Sequence, residues 1–139
     1  MTRAVLVTGA TGLIGAVISK ALLDEGYAVV AVSRSLERVK TEISSTNANL
    51  RPLVADLSND AAVQQIVQEI NSNQIEVVAV VHAARDLRTL RKRSQLQMDD
   101  WLLEYRLAAV VPYQLLYRLH EEHPIRAAVL ISSMYGVVA

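Results

Sequence analysis

Thr8-Gly9-Ala10-Thr11-Gly12-Leu13-Ile14-Gly15 decides how the rest of the chain reads. Three glycines recur there at three-residue spacing. Before them, Arg3 to Thr8 is a short apolar run of β-branched type. After them, Leu13, Val17, Ile18, Ala21 and Leu22 recur at helical spacing up to Glu25. The glycines therefore stand between a strand and a helix. Each has a separate physical task in such a turn. Gly9 permits the tight bend, Gly12 keeps a Cβ away from whatever approaches the backbone, and Gly15 lets the helix pack close to the strand.

Outward from this turn, strand and helix patterns alternate to the end. Gly26 stands where a helix C-cap glycine belongs. Ala28 to Val32 reads as a second strand, and Ser35 caps a second helix with Glu37 in its first turn. Leu50 to Ala55 is a third strand. Pro52 has no N–H to give a ladder, so this strand belongs at a sheet edge. Ser58 is the expected cap of a third helix, with Val63, Ile66, Val67 and Ile70 as its apolar stripe. Ile75 to Val81 is nearly continuous apolar, as a strand buried on both faces requires. A polar stretch follows over 85–97. A long helix then opens at Asp99-Asp100-Trp101 and runs to about Glu121, with Pro112 expected to bend it. Ala127 to Ser132 is the fifth strand.

This βαβαβαβαβ order predicts one α/β domain over residues 1–139. Its form is a Rossmann-like, doubly wound parallel sheet in three α/β/α layers, with strand order 3-2-1-4-5. Hydrophobic residues make up 52% and charged residues 20%, which excludes a disordered chain. Fourteen basic and fourteen acidic residues cancel, which speaks against a globally basic nucleic-acid binder. With no cysteine there is no disulfide, thiolate nucleophile or cysteine-ligated metal. His82, His120 and His123 have no ligand spacing, so no metal site is expected. No stretch has the apolar length of a membrane span or signal segment. The expectation is a soluble, cytoplasmic protein with no membrane partner.

A glycine turn between strand and helix offers backbone N–H groups and a helix N-terminus to phosphate groups. In this register it points to dinucleotide binding. The second strand ends in Ser33-Arg34-Ser35, where an acidic residue would favour NAD and a basic one NADP. Arg34 can grip a 2′-phosphate by its planar fork, with the serines as further donors. The cofactor expected is NADP, with NAD less so. A solvated surface arginine is the alternative.

The segment TGATGLIG resembles the glycine turn of the short-chain dehydrogenase/reductase family. Asp56-Leu57 resembles the pair that this family sets beside the adenine ring. His82-Ala83-Ala84-Arg85 stands where the family has N-N-A-G, a segment passing under the nicotinamide ribose. Ile131-Ser132-Ser133-Met134-Tyr135-Gly136 resembles its fifth strand, with Ser133 as catalytic serine. The resemblance implies a cofactor site built from Gly9, Thr11, Gly12, Leu13, Ile14, Gly15, Ser33, Arg34, Asp56, Leu57, His82, Ala83 and Ala84. It implies hydride transfer to or from a small carbonyl or hydroxyl substrate. A fainter likeness, through HAARDL, VVPYQLL and ISSMYGVVA, is to members that act on activated sugars.

The family's tyrosine and lysine, Y-x-x-x-K, are absent from these residues, and its asparagine position is Ala108. A phenol needs a nearby cation to exchange protons near neutrality, so this set matters. Two readings follow. One is the cofactor-binding portion of a longer reductase, the chain being truncated after Ala139. The other is a catalytically incompetent NADP(H)-binding module with a sensing or scaffold role. Trp101, Tyr105 and Ala108 read as core or interface, and by analogy with the family the long helix suits a homo-oligomer contact. Arg85, Arg88, Arg91, Lys92 and Arg93 form a basic cluster after the fourth strand. It reads as a solvated loop or as an anion contact.

Overall fold

A computed structural model describes residues 2–86, 92 and 95–132. Five parallel strands form one sheet in the order β3-β2-β1-β4-β5. They are β1 (Thr2–Thr8), β2 (Ala28–Ser33), β3 (Leu50–Val54), β4 (Ile75–His82) and β5 (Ala127–Leu130). The helices are α1 (Leu13–Asp24), α2 (Leu36–Glu42), α3 (Ala62–Ser72), α4 (Met98–Tyr105) and α5 (Val111–Glu122). The expected architecture and strand order are both present.

The two sheet faces carry separate cores. Val5, Val7, Val29, Ala31 and Val81 pack against Ala16 and Leu23 of α1 and Val39 of α2. On the other face Leu6, Val30, Val77 and Val80 pack against Ile66 and Ile70 of α3 and Leu115 and Leu119 of α5. These side chains alternate along β1 and β2, as the strand period requires. Pro52 does lie on the edge strand, opposite Ala31.

β4 departs from simple alternation. Its pairing with β1 slips between Ala4 and Val5, whose partners are Val77 and Ala79, so Val78 is an extra residue. Ile75, Val77 and Val80 face the α3/α5 core, while Val81 faces α1.

Three local differences from the sequence reading have clear causes. Ser58 does not cap α3: its N–H and hydroxyl both donate to Asp56 Oδ1, at 3.0 and 2.7 Å. That local turn delays the helix to Ala62, after a cap residue, Ala61, that makes no side-chain bond. The long fourth helix is not one bent rod. A π-helical segment, Arg106–Val110, separates α4 from α5. It ends just before Pro112, which sits in the first turn of α5, where a missing N–H is tolerated. Finally, of the core-or-interface reading for Trp101, Tyr105 and Ala108 only the interface half stands: Trp101 and Tyr105 are 60% and 65% exposed, and Ala108 is exposed too.

Candidate functional site: the glycine turn and its walls

The turn forms at the C-terminal end of β1, where ligands bind in open α/β sheets. Gly9 has φ +63°, a left-handed conformation that side chains resist. A Cβ there would also lie 2.6 Å from the Ala84 backbone. Gly15 is even tighter, since its Cβ would meet the Gly9 carbonyl oxygen at 2.0 Å. Gly15 thus seats α1 on the turn itself rather than on the strand. Gly12 differs from both. Among the described residues a Cβ there would touch only the Gly9 oxygen, at 3.3 Å.

The start of α1 is electrostatically unfinished. Among the described residues no side chain caps it, and no acidic residue lies in its first turn. Leu13 and Ile14 are exposed. An open backbone face with uncapped N–H groups suits a phosphate chain. On this observation the residues fit a dinucleotide, with Gly9 to Gly15 as the phosphate turn. A nicotinamide cofactor would supply hydride exchange, while the chain supplies binding and orientation.

The second wall is the end of β2. Thr11 Oγ1 and Ser33 Oγ lie 2.9 Å apart, both buried. Ser33 Oγ also accepts the Ser35 N–H at 3.2 Å. Arg34 is exposed and pairs with no carboxylate among the described residues. Sequence reasoning missed Arg38. Its Nη2 donates to the Thr11 carbonyl at 2.8 Å, across from α2 to the turn. The signal available was a cation in the first turn of a helix, against the dipole.

The third wall is the exit of β4. The Ala83 N–H donates to the Thr8 carbonyl at 3.1 Å, and Ala83 and Ala84 lie against Gly9. His82 is buried and both ring nitrogens are engaged. Nδ1 lies 2.7 Å from Thr8 Oγ1, and Nε2 lies 2.6 Å from the Leu107 carbonyl oxygen. A carbonyl only accepts, so Nε2 carries the proton and Nδ1 accepts from the threonine. Burial holds the imidazole below its ordinary pKa, partly offset by the bond to Leu107.

That carbonyl is available for a reason. The Val111 N–H, its ordinary helical partner, bonds the Arg106 carbonyl instead. The next residue in the π register is Pro112, which has no N–H. His82 supplies the missing donor.

Asp56 shapes its own loop through Ser58. Arg106, also missed, ties that loop to the π segment. Its Nε donates to the Leu57 carbonyl at 3.1 Å, Nη2 to the Asn59 carbonyl at 2.9 Å and Nη1 to Asp60 Oδ1 at 2.6 Å. Among the described members of the basic cluster, Arg85 pairs with Glu104 at 3.5 Å and Lys92 with Asp100 at 2.6 Å. The Lys92 ammonium holds the Asp100 carboxyl below the usual range. Arg88, Arg91, Arg93 and Ser133 lie outside the described residues. Among the described residues no group of metal-ligating side chains converges, and no helix is long and apolar enough to cross a membrane.

The layered sheet and its glycine turn define a Rossmann-type domain of the short-chain dehydrogenase/reductase kind. Residues 4–139 match the KR domain family, and the chain belongs to it. Carbonyl reductase family member 4 of Xenopus tropicalis is 35% identical over 98 residues, covering 68% of this chain and 41% of that protein. Polyketide synthase GfsA of Streptomyces halstedii is 34% identical over 87 residues, covering 58% of this chain and 1% of that protein. A short-chain dehydrogenase from Streptomyces avermitilis superposes with a TM-score of 0.83 at 18% identity, covering all of this chain and 52% of that one. The chain thus spans about half or less of the length of these proteins.

Proposed function

We propose that this chain is the cofactor-binding portion of an NADP(H)-dependent short-chain oxidoreductase, with a carbonyl or hydroxyl compound as its small-molecule substrate. One observation carries the reading. An uncapped glycine turn with an open face at Gly12 lies beside an arginine, Arg34, that pairs with no carboxylate among the described residues. The turn suits the pyrophosphate and Arg34 suits a 2′-phosphate. Names of relatives support the class. They include a carbonyl reductase and an NADP-dependent 3-hydroxy acid dehydrogenase of Salmonella typhi, 26% identical over 97 residues. These names favour a carbonyl or hydroxyl acid over an activated sugar. A cytoplasmic site of action goes with this reading. So does a homo-oligomer joined through the exposed face of Trp101, Tyr105, Tyr113 and Tyr117.

A second reading, an NADP(H)-binding module without turnover, draws support from Ala108, which offers no polar side chain at the family's asparagine position. Calorimetric titration with NADPH and NADH tests what the readings share. Micromolar NADPH binding with much weaker NADH binding is expected. Binding of neither, or equal binding of both, would overturn the NADP assignment. Whether the coding sequence continues past Ala139 into a Y-x-x-x-K, and whether the product of that longer frame turns over a carbonyl substrate, then separates the two readings.

A further inference from the structure

Resting on that NADP reading, we propose that Arg38 is a second specificity residue, which reads the adenosine 2′-phosphate alongside Arg34. Its placement is the first argument. Arg38 stands three residues after the α2 cap, Ser35, so its charge sits in the first turn of α2, against the helix dipole. It has no compensating carboxylate among the described residues, and neighbouring Glu37 forms no ion pair. A cation so placed without an anion is incomplete in this chain alone.

The second argument is its orientation. The bond from Nη2 to the Thr11 carbonyl carries the guanidinium across to the glycine turn. One of its five N–H groups is used there, and the planar fork retains the others for an anion. Thr11, whose carbonyl anchors the guanidinium, bonds through its own hydroxyl to Ser33, and both side chains are buried. Ser33 is the last residue of β2, where the ribose 2′ position is read in this class of fold. Arg34 supplies an unanchored guanidinium, and Arg38 supplies one already anchored to the phosphate turn. The anchored group loses less freedom on binding, so discrimination falls more heavily on Arg38.

The test compares NADPH and NADH affinities of the chain and two variants. Arg38→Gln is expected to weaken NADPH binding by roughly ten-fold or more, with NADH changed less than about two-fold. Arg38→Lys keeps the charge but not the fork, and should weaken NADPH by roughly three-fold. Equal losses for both cofactors would make Arg38 a support of the turn alone and overturn the proposal. So would full retention of the NADPH preference. A wild-type chain without any preference would overturn the NADP reading itself and this proposal with it. Melting temperatures establish that the variants fold. If Arg38→Gln does not, the Arg38→Lys ratio decides in the same way.

Discussion

At the glycine turn the backbone carries the fit, whereas at the β4 exit side chains carry it. Gly9 and Gly15 work by having no Cβ, and their neighbours are carbonyls and main-chain atoms. His82 works by having two ring nitrogens, which join Thr8 of β1 to Leu107 of the π segment. Both regions border the same space. A backbone requirement admits one residue type, while a side-chain bridge admits any group that can place a donor and an acceptor correctly.

Substitution should expose this contrast. Gly15→Ala forces a Cβ against a carbonyl oxygen that cannot move without distorting the turn. The expected loss is about 3 kcal/mol or more in urea unfolding, with cofactor affinity abolished. His82→Leu orphans a buried carbonyl and a buried hydroxyl, and should cost about 2–3 kcal/mol. His82→Asn retains one donor and one acceptor and should recover most of that loss. Equal losses for the two variants would show that ring volume, not hydrogen bonding, matters at this wall.

The pH dependence is a smaller effect. The folded-state pKa of His82 is lowered, so the unfolded chain takes up its proton first as pH falls. The stability that this group contributes is fully present above about pH 6.5, the ordinary imidazole value. It is lost as pH falls from there through the folded-state pKa. Unfolding measured between pH 7.5 and 5 should show this decline, and His82→Asn should flatten it. Smallest for the fold is Gly12→Ala, at about 1 kcal/mol or less, because the Gly9 oxygen at 3.3 Å needs to yield only slightly. Its cofactor affinity should nevertheless fall at least ten-fold if the open face receives the pyrophosphate. A larger stability loss than for Gly15→Ala would refute the division of roles between these glycines.

The same contrast governs what could be read in advance. Glycine spacing, Pro52 on an edge and nearly continuous apolar β4 are local signals, and they led to the strand order. Ser35 capping α2 is local too, and its hydroxyl accepts the Arg38 N–H at 3.3 Å. The π segment was hidden, because its features are spread between Pro112 and His82, thirty residues apart in sequence. Arg38 and Arg106 were passed over for a like reason. Their acceptors, the Thr11 carbonyl and the Leu57 and Asn59 carbonyls, are backbone groups on other elements, to which residue type gives no clue. Ser58 was misassigned because its hydroxyl had two possible uses and Asp56 took it.

The extra residue in β4 has a consequence for His82. Side chains in a strand behave as a two-beat rhythm, and Val78 inserts one additional beat. Downstream of it the parity is inverted. Val80 thereby joins Val77 on the α3/α5 side, and His82 follows Val80 on the same beat. Were Val78 paired regularly with Val5, His82 would fall one step past Thr8 and the imidazole would be turned toward α1. The bulge four positions upstream therefore keeps His82 in register with Thr8 and aims the imidazole at the Leu107 carbonyl. Deleting Val78 should remove the bulge and leave the bonds of His82 to Thr8 and Leu107 in place.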